Sequence, residues 1–293
     1  MDPTRENLVS CDETAIPLFA LTGVLAICEH TDMAKHAAIL LALVAFVAPA
    51  QTPKPAPTFD VASIREVDLS KRPTTGGCYM RGQAGGQTFT GRCIALSLII
   101  KRAYRIVDSQ LSGGPAWLNT TLFDFEAKTD RPTTRADVEP LFQSFLADRF
   151  NLKMHTEPRT MQALVLTVDG AGNKMTPNTT DYEWDIPVQG VPGTIPKLKG
   201  IRCPMSYLSW YIGQMQNRPL VDRTGLKGFW DFTLEFVPDG MPERKGPDGA
   251  MLPPLDGPNI YTALREQLGL KMEAQKTAVD VYIIDHAEKP AAN

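Results

Sequence analysis

Four landmarks recur in the same order along this chain, and that echo constrains the fold more than any bulk property. "GRCIALSLIIKRAY" at 91–104 returns as "GIRCPMSYLSWYIG" at 200–213, with Arg92-Cys93 set against Arg202-Cys203. "FDFEAKTD" at 123–130 returns as "WDFTLEFV" at 230–237, and "FLADRFNLKM" at 145–154 as "LREQLGLKM" at 264–272. Each copy then enters an apolar strand, "ALVLTV" at 163–168 and "DVYIID" at 280–285. Unlike landmarks repeated in order, with insertions only between them, are the mark of a duplicated unit.

The local pattern in each copy supports that pairing. Val138, Leu141, Phe142, Phe145 and Leu146 follow helical spacing, with Thr134 and Asp137 placed to cap the helix start. In the second copy Asn259 is the expected N-cap, and Ile260, Leu264 and Leu268 share one face. Asn151 and Gly269 follow the two helices, and both residue types tolerate the left-handed C-cap conformation. Phe123, Phe125 and Ala127 alternate with Asp124, Glu126 and Lys128, as Trp230, Phe232, Leu234 and Phe236 alternate with Asp231, Thr233 and Glu235. Half-buried antiparallel strands produce such alternation. The expected fold is therefore α+β: two related lobes, each with helices laid on an antiparallel sheet, from an internal duplication. Lobe 1 is expected over 59–170 and lobe 2 over 201–290, joined by a Pro/Gly-rich loop at 171–200, with a second long loop at 238–258.

The first fifty residues read differently. "MAKHAAILLALVAFVAPA" at 33–50 has a cationic start, an apolar run and a small-residue site at Ala48-Pro49-Ala50, the three parts of a secretory signal. The run is shorter than the roughly 20 residues that cross a bilayer. Residues 1–32 carry a second apolar run flanked by acids, so translation is expected to start at Met33, with cleavage after Ala50 and a linker over 51–58. An exported product, periplasmic or extracellular, with no stable membrane anchor after cleavage follows as the expectation. Residues 1–50 hold two of the 30 basic and six of the 33 acidic residues, leaving 28 against 27. That balance offers no electrostatic reason to expect nucleic acid as a partner. Three cysteines remain beyond residue 50: Cys78, Cys93 and Cys203. Cys78 and Cys93 lie closest in sequence and fit a disulfide between neighbouring strands, while burial of all three as small apolar residues fits equally well.

"VDRTGLKGFWDFTLEF" at 221–236 comes near the Asp-Thr-Gly of an aspartic peptidase, but Arg223 stands between Asp222 and Thr224. The matching stretch of the first copy, "LSGGPAWLN", offers no second carboxylate. Asp222, Thr224, Gly225 and Gly228 are instead expected to form a turn feeding a strand. Asp231 and Glu235 would lie about 13 Å apart on one strand face, too far for the carboxylate pair of a glycosidase, which needs under roughly 10 Å. His155 and His286 lack ligand partners at metal spacing, and no HExxH, CxxC or GxSxG motif occurs. No metal and no cofactor are expected. The candidates for catalysis reduce to His155, His286, Asp222 and Asp285.

"FDVASIRE", "LIIKRAYRI", "QLSGGPAWL", "FDFEAK", "FLADRFNLKMHTEPR", "RPLVDRTGLKGFWDFTLEF" and "ALREQLGLKMEAQKTAVDVYIIDHAEKP" together resemble a large paralogous family of exported acidobacterial soil proteins (Solibacter-type), defined by domain of unknown function 3738. The resemblance covers residues 58–293. It implies secretion and many paralogues, and it supplies no catalytic residues to carry over. Similar domains fused to membrane metallopeptidases of the antibiotic-sensor class imply sensing or interaction outside the cytoplasm. "LREQLGLKMEA" also has the helix-then-strand shape of the short periplasmic modules of secretins and TonB-dependent receptors, a likeness of shape alone. The leading expectation is a non-catalytic module that binds a protein partner of the envelope. A secreted hydrolase with its site between the lobes, or a small-ligand sensor, are the alternatives.

Overall fold

Two long strands organise the molecule. In the computed structural model, β6 (Lys153–Val168) and β12 (Leu270–His286) run antiparallel along their whole length, from Leu270 opposite Val168 to His286 opposite Lys153. The described residues are 57–68, 77–82, 84–186, 194–240, 250–251 and 253–290, with the backbone of 188–189. The expected leader at 1–50, most of the linker and part of the 238–258 loop lie outside them. Residues 55–293 form one compact unit.

The ribbon belongs to a sheet of order β10-β6-β12-β4, whose short edge strands β4 (Leu111–Gly113) and β10 (Leu220–Asp222) both run parallel to their neighbours. Leu111 stands opposite Tyr282, and Leu220 stands opposite Leu164. Pro158 sits opposite Asp280, where among the described residues only β12 flanks β6, so its missing N–H costs no ladder bond on the open side. Two four-stranded antiparallel sheets complete the fold. One has the order β1-β5-β3-β2, with β1 (Val61–Glu66), β2 (Tyr79–Arg81), β3 (Thr88–Ala95) and β5 (Leu122–Lys128). The other has the order β7-β11-β9-β8, with β7 (Thr176–Pro177), β8 (Val188–Gln189), β9 (Lys197–Pro204) and β11 (Phe229–Glu235). The 171–200 segment thus contributes edge strands where a loop was expected. Strands of two residues carry no period in their sequence; they form because β9 and β11 present open edges.

Helices α1 (Leu96–Tyr104) and α2 (Arg135–Phe150) close a first core, which gathers Phe89, Phe123, Phe125, Phe142, Phe145 and Phe150. Asp137 starts α2 by accepting from the Thr134 N–H at 2.8 Å. Helix α3 (Met205–Met215) and helix α4 (Ile260–Ala263), continued by a π-helical turn at Leu264–Leu268, close a second core built mainly from Leu, Ile and Met. The Asn259 side chain caps α4 from Thr262 N–H at 2.9 Å. Asn151 at φ 47° and Gly269 at φ 70° end their helices in the left-handed conformation.

Close approaches set the register of the two outer sheets. Gly91 faces Phe125 and Gly200 faces Phe232; a Cβ on either glycine would come within 2.1 or 2.3 Å of the facing ring. Just beyond each glycine the ladder bulges, at Cys93 (φ 48°) and Arg202 (φ 49°). Their N–H groups donate to Asp124 at 2.9 Å and Asp231 at 2.7 Å. Cys93 and Arg202 thus make the same kind of bulge contact in their two sheets, whereas the sequence match set Cys93 against Cys203.

Candidate functional site

The ribbon end brings two of the four candidates together across 130 residues of chain. His155 on β6 contacts Asp285 of β12 through Nδ1, at 2.8 Å to Oδ1 and 3.0 Å to Oδ2. Its other nitrogen, Nε2, faces Glu157 at 3.3 Å, and Arg159 donates to the same carboxylate at 2.9 Å. The bond to Asp285 first, and that to Glu157 next, raise the His155 pKa above the usual 6.5. Arg159 first, then His155, hold Glu157 below the ordinary carboxylate value. The pair is half-exposed, and neither ring nitrogen is directed at a hydroxyl or thiol. The carboxylates lie on opposite sides of the ring, so they converge on no common point where a cation could bind. Among the described residues no group of three or more His, Cys, Asp or Glu side chains is placed to hold a metal ion.

The other two candidates have partners of their own. His286 meets Glu288 at 2.7 Å. Asp222 Oδ1 accepts both from Thr224 N–H at 2.9 Å and from its hydroxyl at 2.7 Å, and Gly225 and Gly228 follow at φ 68° and 83°. That carboxylate oxygen shapes the turn into β11. Asp231 is likewise tied down, by Asn178 at 2.9 Å as well as by the Arg202 N–H, and Glu235 pairs with Lys197 at 2.6 Å. Cys78 and Cys93 form a disulfide that closes the loop between β2 and β3. Cys203 is a free, buried cysteine; burial pushes its thiol up to about 12, which leaves it a packing group.

Motif reasoning missed a second constellation, between the segment after α1 and helix α3. Arg105 donates from Nε to Glu139 at 2.8 Å, and its guanidinium lies 5.1 Å from the Tyr207 ring centre and 5.5 Å from that of Trp184. Arg135 faces Trp184 from 5.1 Å, pairs with Asp185, and donates its backbone N–H to the Glu183 carboxylate at 2.9 Å. These contacts fasten the 183–185 segment to the start of α2. Beside them opens a cleft of about 320 Å³, walled by Arg105, Gln110, Ser206, Ser209, Trp210 and Asp222. Nearby, Gln214 on α3 donates to Ile106 O at 2.6 Å and ties the helix to the segment after α1. The signal available in sequence was the set of small residues along α3, Ser206, Ser209 and Gly213, where α1 carries Ser97, Ile100 and Tyr104.

A family model described as a protein of unknown function (DUF3738) matches residues 97–287. No curated protein matches the chain, and no solved structure matches it. Among the described residues no helix is long and apolar enough to cross a membrane.

Proposed function

This chain belongs to the DUF3738 family, and from that premise we propose that it is a non-catalytic binding module working outside the cytoplasm on a protein partner of the envelope. The observation that carries this reading is the environment of His155. A general base needs one free nitrogen facing the group it deprotonates, whereas both His155 nitrogens face carboxylates. Such an arrangement favours the charged imidazolium and holds the ends of β6 and β12 together. Export is supported by the Cys78–Cys93 disulfide, since such bonds persist in oxidising compartments, and by the leader pattern ending at Ala50.

We take the two cores as copies of one duplicated α+β unit of the acidobacterial type. The matched pairs support this: Leu111 with Tyr282 against Leu220 with Leu164, and Gly91 with Phe125 against Gly200 with Phe232. Each copy lends its short parallel strand to the long strand of the other.

The test is a C-terminally tagged chain expressed in its native host, crosslinked in place, captured and identified by mass spectrometry. One reproducible, stoichiometric partner and an N-terminus at Gln51 are expected. A chain recovered alone would overturn the partner reading, and retention of residues 33–50 would overturn export. The His155–Asp285 contact at 2.8 Å favours a second reading, a secreted hydrolase.

A further inference from the structure

We propose that the cleft between the segment after α1 and helix α3 is a binding site for a small neutral hydroxylated molecule, the size of one sugar ring. This goes beyond the partner-binding reading and stands or falls apart from it.

The cleft is a place where the fold leaves hydrogen-bonding capacity unused. Among the described residues four buried side-chain polar atoms have no hydrogen-bond partner: Arg202 Nε, Ser209 Oγ, Trp210 Nε1 and Trp230 Nε1. Two of the four, on Ser209 and Trp210, belong to residues lining this one cleft. Ser209 is only 4% exposed. A buried polar group without a partner is disfavoured unless something supplies one. A ligand oxygen reached by a modest rotation of Ser209 would do so.

Comparison with the first core shows why space exists here. Tyr104 is the ninth residue of α1, and its ring meets that of Tyr282 at 5.5 Å between centres. The ninth residue of α3 is Gly213, and the strand position matching Tyr282 is Leu164. A glycine stands where the first core has a tyrosine, and Gly213 and Leu220 both line the cleft at this corner.

Charge decides the class of ligand. The Arg105 guanidinium is already neutralised by Glu139. Asp222 has one oxygen engaged by Thr224, and its other oxygen is an acceptor at the cleft wall. An anion would meet that carboxylate; a hydroxyl can donate to it. The indole N–H and the serine hydroxyl lie buried behind the cleft wall and would serve ether or hydroxyl oxygens once a ligand turns them outward, and Leu220 offers an apolar wall for C–H groups. A volume near 320 Å³ lies at the small end of ligand sites.

The test follows the indole N–H of Trp210 in the nitrogen-15 spectrum of the purified secreted chain, its resonance identified with Trp210→Phe. D-glucose and N-acetyl-D-glucosamine are titrated as neutral probes, with L-glutamate as the charged one. The Trp210 signal is expected to move with a neutral sugar and not with glutamate. Ser209→Ala should weaken that binding about 10-fold, and Gly213→Tyr should abolish it. Should Gly213→Tyr fail to fold, Ser209→Ala decides alone. No movement with either sugar, movement with glutamate only, or a sugar response that Ser209→Ala leaves unchanged would each overturn the proposal.

Discussion

The two cores differ in what fills them, though similar elements enclose them. The first packs seven phenylalanines, Phe59 among them, largely edge to face: Phe89 to Phe142 at 5.6 Å and Phe123 to Phe150 at 5.3 Å are examples. It is further tied by the Cys78–Cys93 bridge, and Tyr104 against Tyr282 packs beside β4 and β12. The second relies on Leu, Ile and Met, holds its cysteine as a free thiol, and leaves the α3–β10 corner open beside Gly213. The lesson is a division of labour. Aromatic side chains fill the core at one end of the ribbon, and mainly aliphatic and methionine side chains fill the core at the other, beside which the cleft opens.

The largest expected effect attacks the aromatic base. Phe145, 3% exposed and in contact with Phe59, Phe125 and Phe150, should cost about 3–5 kcal/mol when changed to Ala, read from urea denaturation. Reducing the disulfide should come next, at about 3 kcal/mol for a loop of this length. By hydrogen exchange, reduction should loosen β2 and β3 while β9 and β11 stay protected; equal loosening of both sheets would break the comparison. Gly91→Ala and Gly200→Ala should then cost similar amounts, about 1–3 kcal/mol, because each Cβ drives into a ring. Unequal penalties would argue against a shared register. Smaller still, native Cys203 should resist alkylation by iodoacetamide and react fully once the chain is unfolded.

The smallest effect concerns pH. The His155 pKa is raised, so its favourable contact is fully present below about pH 6.5 and is lost as pH climbs through the raised value. A proton titration of the ring should show a midpoint above 6.5, returning toward it in Asp285→Asn. Because both partners are half-exposed, the unfolding midpoint should hardly move in Asp285→Asn.

The α+β class was legible because alternation in "FDFEAK" and "WDFTLEF" maps onto buried and outward residues: Phe123, Phe125 and Ala127 are inside, as are Phe232, Leu234 and Phe236. Helix α4 could be started at Asn259 because its cap is local. The ribbon was not legible. From Thr156 to Gln162, β6 carries no buried residue on either face, so no period announces a strand, and its pairing with β12 is a long-range event. The His155–Asp285 contact was hidden for the same reason: each residue looked solitary in sequence. The cleft was hidden differently. Ser209, Trp210 and Gly213 read as ordinary helix residues until the register of β10 on β6 places them beside Asp222.

Whether His155 reacts or only holds the ribbon end is decided by one assay. Purified wild-type chain, His155→Ala and Asp285→Asn are compared on a panel of ester, peptide and glycoside substrates. Binding without catalysis predicts the same background turnover from all three proteins. Turnover by the wild type that either substitution abolishes, with folding intact, would contradict it and establish the hydrolase in its place.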